Sequence, residues 1–409
     1  MKAKLSKQPP RYDRFIPCRD TIQSCDYKSL FRGQSAVDEN SRIAKSNLLS
    51  FRPSSIKSSC IFDDNISQKE STSFKKSKEN SITITNGETQ VLKAEGFRND
   101  YYTNLLDCKS ENSFICILSN IPYIFNRREK AVSALPLGDS QNEEMLTSVR
   151  FQPYSNSFIA LGSEFGLLRM YDTEKSLAEI YDLHISRIGC LDWNPKMPTL
   201  LASGSKDKLV RLKDLRSPEQ SIVKLSGHMG EICGLAWAPN GLNIASGGND
   251  NLVNVWDLRA TKASKYTITS HKAAVRGLCW APFRENLLAS GGGSGDMRIL
   301  VHNVDKNKLL KEITTDSQIC AISWDEQTKA LITGHGFSRY QICLWDYESE
   351  RYVYEFLGHS NRVLSLMQAG SNGTVISASS DETIRVWDLR KTLKVWNKSS
   401  SALTPVKIR

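Results

Sequence analysis

Short runs of apolar and β-branched residues recur along this chain, and glycine, asparagine and aspartate separate them. The stretch from Gly227 to Asp257 shows the unit, with three such runs at Ile232–Trp237, Asn243–Ser246 and Val253–Asp257. Runs of this length bounded by turn residues predict β-strands. Several of them in about 40 residues, closed by Trp-Asp, predict one blade of a β-propeller of the WD-repeat kind.

Polar residues within this unit predict a buried hydrogen-bonded link. A buried imidazole and a buried indole N–H each need a partner. We therefore expect His228 to reach Trp256 through the hydroxyl of Ser246, while Asp250 holds the turn. The same spacing recurs in a second full copy, made of His359, Ser377, Asp381 and Trp387. Because the set recurs beside tryptophan, we interpret it as a structural fastener and not as a catalytic triad.

Degenerate copies of the unit extend the repeat. His184, Ser203 and Asp207 are followed by Lys213 in the tryptophan place, and His271, Ser290 and Asp296 are followed by His302. The positions equivalent to tryptophan follow one another at intervals of 42 to 46 residues, close to the usual period of about 40–45: Phe125, Tyr171, Lys213, Trp256, His302, Trp345 and Trp387. The sequence thus predicts an all-β fold, a seven-bladed WD-repeat β-propeller over residues 90–395.

The propeller is predicted to close on itself, because an open edge strand is prone to mispairing. We expect Glu88–Lys93 to supply the outer strand of the last blade. Residues 1–89 are rich in serine and scattered charge, so they predict a largely disordered N-terminal arm. Residues 396–409 form a short C-terminal tail.

Positive charge is concentrated in the N-terminal arm, but it does not indicate a nucleic acid partner. The formal net charge is +10, and residues 1–90 hold 16 Lys/Arg against 10 Asp/Glu, which puts +6 in the arm. A basic arm could contact nucleic acid. Its basic residues are scattered, without a run of five, and aromatic residues are few, so we expect no nucleic acid partner.

Candidate chemistry is sparse, and we expect neither an enzyme nor a bound cofactor or metal. The ten cysteines include no Cys-x-x-Cys pair, and several precede inner-strand tryptophans as small core residues of a reducing compartment: Cys190, Cys233, Cys279 and Cys320. Gly291–Gly293 lacks the Lys-Ser/Thr of a phosphate loop and predicts a turn. Without a signal peptide or an apolar run of about 18 residues, we expect a soluble protein of nucleus and cytoplasm, with no membrane partner.

One short segment of the arm has the composition of a linear binding motif. Phe15 and Ile16 can fill apolar pockets, Pro17 limits chain entropy, and Arg14 and Arg19 can pair with carboxylates of a partner. A chance cluster is the alternative. The motif comprises Asp13, Arg14, Phe15, Ile16, Pro17 and Arg19.

This motif ahead of a seven-bladed propeller resembles the Fizzy and Fizzy-related family, coactivators of the anaphase-promoting complex, which is a ubiquitin ligase. The family calls the motif the C-box. The stretches Asn99–Asp107 and Ser246–Trp256 and the final Ile408 and Arg409 are also similar to the family. The resemblance implies docking on helical-repeat subunits of the ligase through the C-box and the Ile-Arg tail.

The resemblance also implies two sites for degradation motifs, or degrons, of substrate proteins. A Lys-Glu-Asn motif would bind on the top face of the propeller, through Asp107, Asn249, Asn251, Ser294, Gln318 and Arg385. A destruction box, Arg-x-x-Leu, would bind in a side groove between the first and last blades, with Asp100 receiving its arginine. Tyr101 and Tyr102 either line that site or belong to the core.

Some features depart from the family pattern or leave alternatives. His302 stands where the family usually has tryptophan, so a looser fifth blade is expected. Only Ser217-Pro218 and Thr404-Pro405 are Ser/Thr-Pro pairs, and neither lies in the arm, which suits a meiotic or specialised member. Lys78–Asn80 spells Lys-Glu-Asn. It either occupies the propeller's own top face, presents this chain to another coactivator as a degron, or is accidental. The alternative function is a generic WD-repeat scaffold in another nuclear assembly.

Overall fold

A computed structural model describes residues 51–52, 88–137, 144–155, 157–216, 222–370 and 372–390. The described strands form six four-stranded sheets and one five-stranded sheet, all antiparallel, which are the seven blades. The first two strands are β1 Phe51–Arg52 and β2 Glu88–Lys93.

Blades one to six each take four consecutive strands, and blade seven takes β27 to β29 together with β2 and β1. The strands of blades one to three are β3 Leu106–Ser110, β4 Ser113–Leu118, β5 Ile121–Asn126, β6 Ala131–Ala134, β7 Leu146–Phe151, β8 Phe158–Ser163, β9 Leu167–Asp172, β10 Leu177–Asp182, β11 Ile188–Trp193, β12 Leu200–Ser205, β13 Leu209–Asp214 and β14 Ile222–Ser226. Those of blades four to seven are β15 Ile232–Trp237, β16 Asn243–Gly248, β17 Val253–Asp257, β18 Tyr266–Ile268, β19 Val275–Trp280, β20 Leu287–Gly292, β21 Arg298–Asn303, β22 Lys308–Thr314, β23 Ile319–Trp324, β24 Ala330–His335, β25 Ile342–Asp346, β26 Arg351–Phe356, β27 Val363–Ala369, β28 Thr374–Ser379 and β29 Thr383–Asp388.

Burial decreases from the axis to the rim. All six positions of β15 are buried, whereas the outer strand β22 alternates between exposed and partly buried positions. Inner strands are so close that some positions admit only glycine: a Cβ on Gly234 would lie 2.4 Å from the carbonyl oxygen of Arg276. The predicted turn at Gly291–Gly293 is therefore partly wrong. Gly291 and Gly292 end strand β20, where a Cβ on Gly291 would lie 2.5 Å from Ile319.

The ring closes as predicted. Strand β2 pairs antiparallel with β29, with Val91 opposite Arg385, and Leu92 of β2 is fully buried. Strand β1 adds a fifth strand by pairing with β2. The expectation of a structureless arm did not include this strand, since two residues carry no periodic pattern.

The predicted fasteners are present in blades four and seven. In blade four, the indole N–H of Trp256 donates to Ser246 Oγ at 2.9 Å, and His228 Nε2 lies 2.9 Å from the same oxygen. His228 Nδ1 lies 3.0 Å from Asp250 Oδ2. The hydrogen bond with His228 lowers the pKa of Asp250 in spite of burial. In blade seven, Trp387 donates to Ser377 at 2.8 Å in the same arrangement.

Blades three and five keep the histidine and serine without an indole donor. His184 Nε2 lies 2.7 Å from Ser203 Oγ, and His271 Nε2 lies 2.7 Å from Ser290 Oγ. His302 is buried in the tryptophan place, and blade five is a complete four-stranded sheet. The looser fifth blade stays a prediction.

Blade six builds its fastener from other residues. Trp345 donates to Thr333 Oγ1 at 2.8 Å, and His335 Nε2 lies 2.7 Å from that oxygen. Burial lowers the pKa of His335 to about 4. His335 is therefore a structural histidine, bonded to Ser317 and Thr333 inside the blade. In the described part of the chain, no helix is long and apolar enough to cross a membrane.

Candidate functional site

Six inner strands carry a β-bulge at the same level of the propeller. In each, one residue near the start of the strand drops out of the pairing with its neighbour, so its carbonyl lies outside the ladder. The bulge residues are Thr147, Gly189, Cys233, Arg276, Cys320 and Leu364. Together they form a ring of backbone groups around the central channel.

The loop between β2 and β3 crosses this ring, and we call residues 99–104 the plug. Tyr101 is 2% exposed, and its hydroxyl donates to the carbonyl of Ala274 at 3.4 Å. Asn104 donates from its backbone N–H to Thr147 at 3.1 Å and from Nδ2 to Gly189 at 3.0 Å. The plug therefore contacts blades two, three and five and closes one end of the channel.

Acidic groups surround one arginine at this closed end, which we call the mouth. Arg187 Nη1 donates to Asp100 Oδ2 at 2.7 Å, and its Nε donates to Glu231 at 2.9 Å. Glu164 lies 4.0 Å from the same guanidinium. Burial opposes the charge of Arg187, but these carboxylates raise its pKa above the ordinary value. One side of the mouth thus carries three carboxylates and two guanidiniums, because Arg98 also interacts with Asp100 and Glu164.

The opposite side of the mouth carries the guanidinium of Arg362. Its Nε donates to Asn99 Oδ1 of the plug at 3.1 Å. Arg362 is 8% exposed, and its Nη1 is buried without a hydrogen-bond partner among the described residues. Gln318 is adjacent, since a Cβ on Gly336 would lie 2.8 Å from Gln318 Oε1 and 3.6 Å from Arg362 Cγ. A buried unpaired donor in a mouth is suited to an incoming carboxylate.

Four residues assigned to the Lys-Glu-Asn motif lie in loops at this end. Asn249 is exposed, and its Oδ1 accepts from the hydroxyl of Tyr102 at 3.0 Å. Asn251 has a φ of 66° and shapes the same turn. Ser294 follows Gly293, whose N–H donates to Ala274 beside Tyr101, and Gln318 borders Arg362.

Asp107 does not join this group. Its Oδ1 accepts from Arg150 at 2.8 Å and its Oδ2 accepts from the N–H of Phe151 at 2.7 Å, and it is 5% exposed. Arg150 and Phe151 end strand β7, and Arg150 also pairs with Asp192 near the end of β11. Asp107 therefore lies toward the end of the inner strands away from the mouth, which the sequence motif alone did not reveal.

Arg385 and Asp100 are each held by an ion pair. Arg385 Nη1 donates to Glu88 at 2.8 Å, so its guanidinium faces the outer strand of its own blade. Asp100 is held at the mouth by Arg187 and not in the side groove. The two tyrosines, expected either to line a site or to belong to the core, differ from each other. Tyr101 is part of the core, and Tyr102 lines the mouth.

Arg187, Glu164, Glu231 and Arg362 of the mouth were missed from sequence, although a signal existed for three of them. Arg187, Glu231 and Arg362 are each the third residue after a fastener histidine, at positions 184, 228 and 359. The spacing that identified the fasteners thus also points to the mouth.

Some predicted segments lie outside the described residues: Asp13–Arg19, Lys78–Asn80, Ile408 and Arg409. Within the described residues, no group of three or more His, Cys, Asp or Glu side chains is arranged to hold a metal ion.

Comparisons with known proteins agree on one family. A family model described as the CDC20/Fizzy WD40 domain matches residues 92–387. The chain is 34% identical over 312 residues to Protein FIZZY-RELATED 2 of Arabidopsis thaliana, which is 76% of this chain and 63% of that protein. It is 35% identical to the APC/C activator protein CDH1 of Saccharomyces cerevisiae, over 73% of this chain and 52% of that protein.

A solved structure shows the same fold. A chain of the crystal structure of the mitotic checkpoint complex superposes with a TM-score of 0.70 at 32% identity, covering 80% of this chain and 99% of that chain. The matched region spans about three fifths of the length of Protein FIZZY-RELATED 2 and about half the length of CDH1.

Proposed function

The chain belongs to the CDC20/Fizzy WD40 family, and from this premise we propose that it is a non-enzymatic coactivator and substrate receptor of the anaphase-promoting complex. Relatives at 34–35% identity carry the names anaphase-promoting complex subunit cdc20 and APC/C activator protein CDH1. The propeller holds substrates by their degrons, and the arm and tail dock on the ligase.

The observation that carries the receptor role is the charge arrangement of the mouth. Asp100, Glu164 and Glu231 lie on one side, and Arg362 lies on the other with an unpaired Nη1 among the described residues. A Lys-Glu-Asn peptide offers complementary charges, its lysine toward the carboxylates and its glutamate toward Arg362. The amides of Asn249, Asn251 and Gln318 and the hydroxyl of Ser294 then suit its asparagine.

Peptide affinity tests this role and separates the two candidate arginines. We expect Arg362→Ala to weaken binding of a Lys-Glu-Asn peptide about tenfold or more, because a hydrogen bond to a charged group contributes about 1.5–3 kcal/mol. Arg385→Ala is the matched control and should leave affinity unchanged, since Arg385 pairs with Glu88.

A double-mutant cycle makes the test specific. Replacing the peptide glutamate by glutamine should weaken binding to the unaltered protein but cost little more in Arg362→Ala. Fully additive losses in the cycle would mean that Arg362 does not receive the glutamate.

For the second degron, we propose the groove between blades one and seven as the site of an Arg-x-x-Leu motif. Asp100 takes no part there, because its carboxylate pairs with Arg187 at the mouth. Binding of such a peptide should therefore be insensitive to Asp100→Asn, whereas Lys-Glu-Asn binding should weaken.

Docking on the ligase is proposed to use the C-box, residues 13–19, and the tail residues Ile408 and Arg409. Arg409 offers a planar guanidinium next to the terminal carboxylate, and Ile408 a small apolar anchor. Deleting residues 13–19 should reduce co-purification with the ligase. Adding one residue after Arg409 should weaken it as much as deleting the tail, and equal recovery of all variants would refute this docking mode.

The arm motif Lys78–Asn80 is proposed to present this chain to a second coactivator molecule. Replacing all three residues by alanine should lengthen the lifetime of the protein and leave its own affinity for a Lys-Glu-Asn peptide unchanged. An unchanged lifetime would mean that the triplet is accidental.

A further inference from the structure

One buried side chain, Arg276, ties the plug to the blades beneath it. Arg276 is the bulge residue of blade five and is 5% exposed. Its Nη1 donates to the carbonyl of Cys320 at 2.7 Å and to that of Leu364, in blades six and seven. Its Nη2 donates to Thr103 O at 2.8 Å and to Asn104 Oδ1 at 3.0 Å. A single guanidinium therefore joins three blades to the plug.

The acceptors explain why an arginine occupies this position. Cys320 and Leu364 are themselves bulge residues, so their carbonyls lie outside the strand ladders and need other donors. A planar guanidinium can direct hydrogen bonds to several carbonyls at once, which a lysine ammonium on a flexible stem cannot do equally well. The guanidinium also lies 5.7 Å from the ring centre of Tyr101, within cation–π range.

Within the plug, the residue that Arg276 binds is hydrogen-bonded to a residue of the mouth. Thr103, which Arg276 binds, directly follows Tyr102, and both its N–H and its hydroxyl donate to the carbonyl of Asp100, at 3.4 and 3.1 Å. A shift of Thr103 must therefore move Asp100 and Tyr102 together.

We propose that Arg276 is a positioning residue for the mouth: it fixes the plug, thereby sets where Asp100 and Tyr102 stand, and so controls affinity for a Lys-Glu-Asn peptide. This inference rests on the proposed function of the mouth. It also assigns the bulge ring a role, because the ring carbonyls supply the fixed points to which the guanidinium is attached.

Gly189 provides an independent way to displace the plug. A Cβ on Gly189 would lie 2.6 Å from the carbonyl oxygen of Tyr102, which is too close for the plug to keep its place. Gly189→Ala therefore moves the plug from blade three while leaving the side chain and the charge of Arg276 in place.

The experiment uses the full-length protein with Arg276→Ala, Gly189→Ala and the control Arg298→Ala. Arg298 lies in the same blade. Its guanidinium pairs with Asp296 and Glu312 and donates to the carbonyl of Ser270, and none of these partners belongs to the plug. Two quantities are measured: amide hydrogen exchange of fragments covering residues 99–104, and affinity for a Lys-Glu-Asn peptide. Both are repeated for Arg276→Ala with millimolar methylguanidinium, since Arg276 lines an axial cavity of about 420 Å³.

We expect Arg276→Ala and Gly189→Ala to accelerate exchange in the plug and to weaken peptide binding about tenfold, within the range by which residues off a site alter binding. In Arg276→Ala, methylguanidinium should restore part of the slow exchange in the plug and part of the peptide affinity. Arg298→Ala should change neither the exchange nor the affinity. Unchanged plug exchange in both variants, or faster exchange with unchanged affinity, would overturn the proposal. If the unaltered protein binds no such peptide, the proposed function fails, and the exchange readout still decides whether Arg276 holds the plug.

Discussion

At the residue scale, one hydroxyl joins three elements of a blade. Ser246 accepts from Trp256 and faces His228, which in turn faces Asp250. Both ring nitrogens of His228 therefore have partners within the blade. The recurrence of His, Ser and Asp along this chain is explained by packing of the blades and needs no catalytic role.

The serines of blades four and five should differ in their contribution to stability. Ser246→Ala leaves both the His228 nitrogen and the Trp256 N–H without this partner, whereas Ser290→Ala leaves only the His271 nitrogen. Both variants also lose a long hydrogen bond from the serine to a strand carbonyl, that of Asn254 or of Leu300. Because each buried group left unpaired costs about 1–3 kcal/mol, Ser246→Ala should be more destabilising by about that amount. Urea unfolding of the two variants measures the difference, and equal losses would contradict the fastener account.

Buried histidines should make the protein acid-sensitive. Burial lowers the pKa of both His335 and His302 to about 4, from an ordinary value of 6.5. Between these values the unfolded chain binds more protons than the folded chain, so stability is present above pH 6.5 and is lost as the pH falls toward 4. Each histidine contributes a slope of about 1.4 kcal/mol per pH unit.

The variant His302→Phe isolates one of these contributions. His302 Nδ1 has no hydrogen-bond partner among the described residues, so an apolar ring of similar size fits the site. The free energy of unfolding, followed from pH 6.5 to 4.5, should fall less steeply in this variant, by about 1.4 kcal/mol per pH unit. Parallel curves for variant and unaltered protein would show that His302 does not titrate as stated.

At the element scale, the ring depends on strand β2, which comes from the start of the chain and completes the last blade. Leu92 is fully buried in this strand, and Lys93 is half exposed beside Glu95. Leu92→Ala should destabilise the protein by about 2–5 kcal/mol, and Lys93→Ala by less than about 0.5 kcal/mol. Thermal unfolding of the pair provides the comparison, and a small effect of Leu92→Ala would argue against closure by β2.

The repeat made the fold predictable, because strand runs, turn residues and fasteners all follow one period. Strand β2 was predicted from the need to cover an edge. The glycines at 291 and 292 were harder to interpret, since glycine marks either a turn or a close approach of backbones, and only the neighbouring blade decides which. Strand β1 has too few residues to leave a pattern.

At the scale of the whole molecule, the mouth combines residues that are far apart in sequence. Loop residues such as Asn249 and Gln318 were assigned to one site through the resemblance to the family, and the structure places them at the same end of the propeller. The partners that hold Arg385 and Asp107, Glu88 and Arg150, were not predicted, because the direction of a side chain depends on contacts that the sequence pattern does not show. Arg362 was missed because its role depends on a plug that reaches it from another part of the chain.

The central claim is that this chain brings substrates to the anaphase-promoting complex through the mouth. Ubiquitin ligation reconstituted with purified complex, the full-length chain and a substrate carrying only a Lys-Glu-Asn degron tests it most directly. We predict that ligation depends on added chain, falls strongly with Arg362→Ala and persists with Arg385→Ala. Ligation that does not respond to the chain, or equal activity of Arg362→Ala and the unaltered protein, would contradict the account.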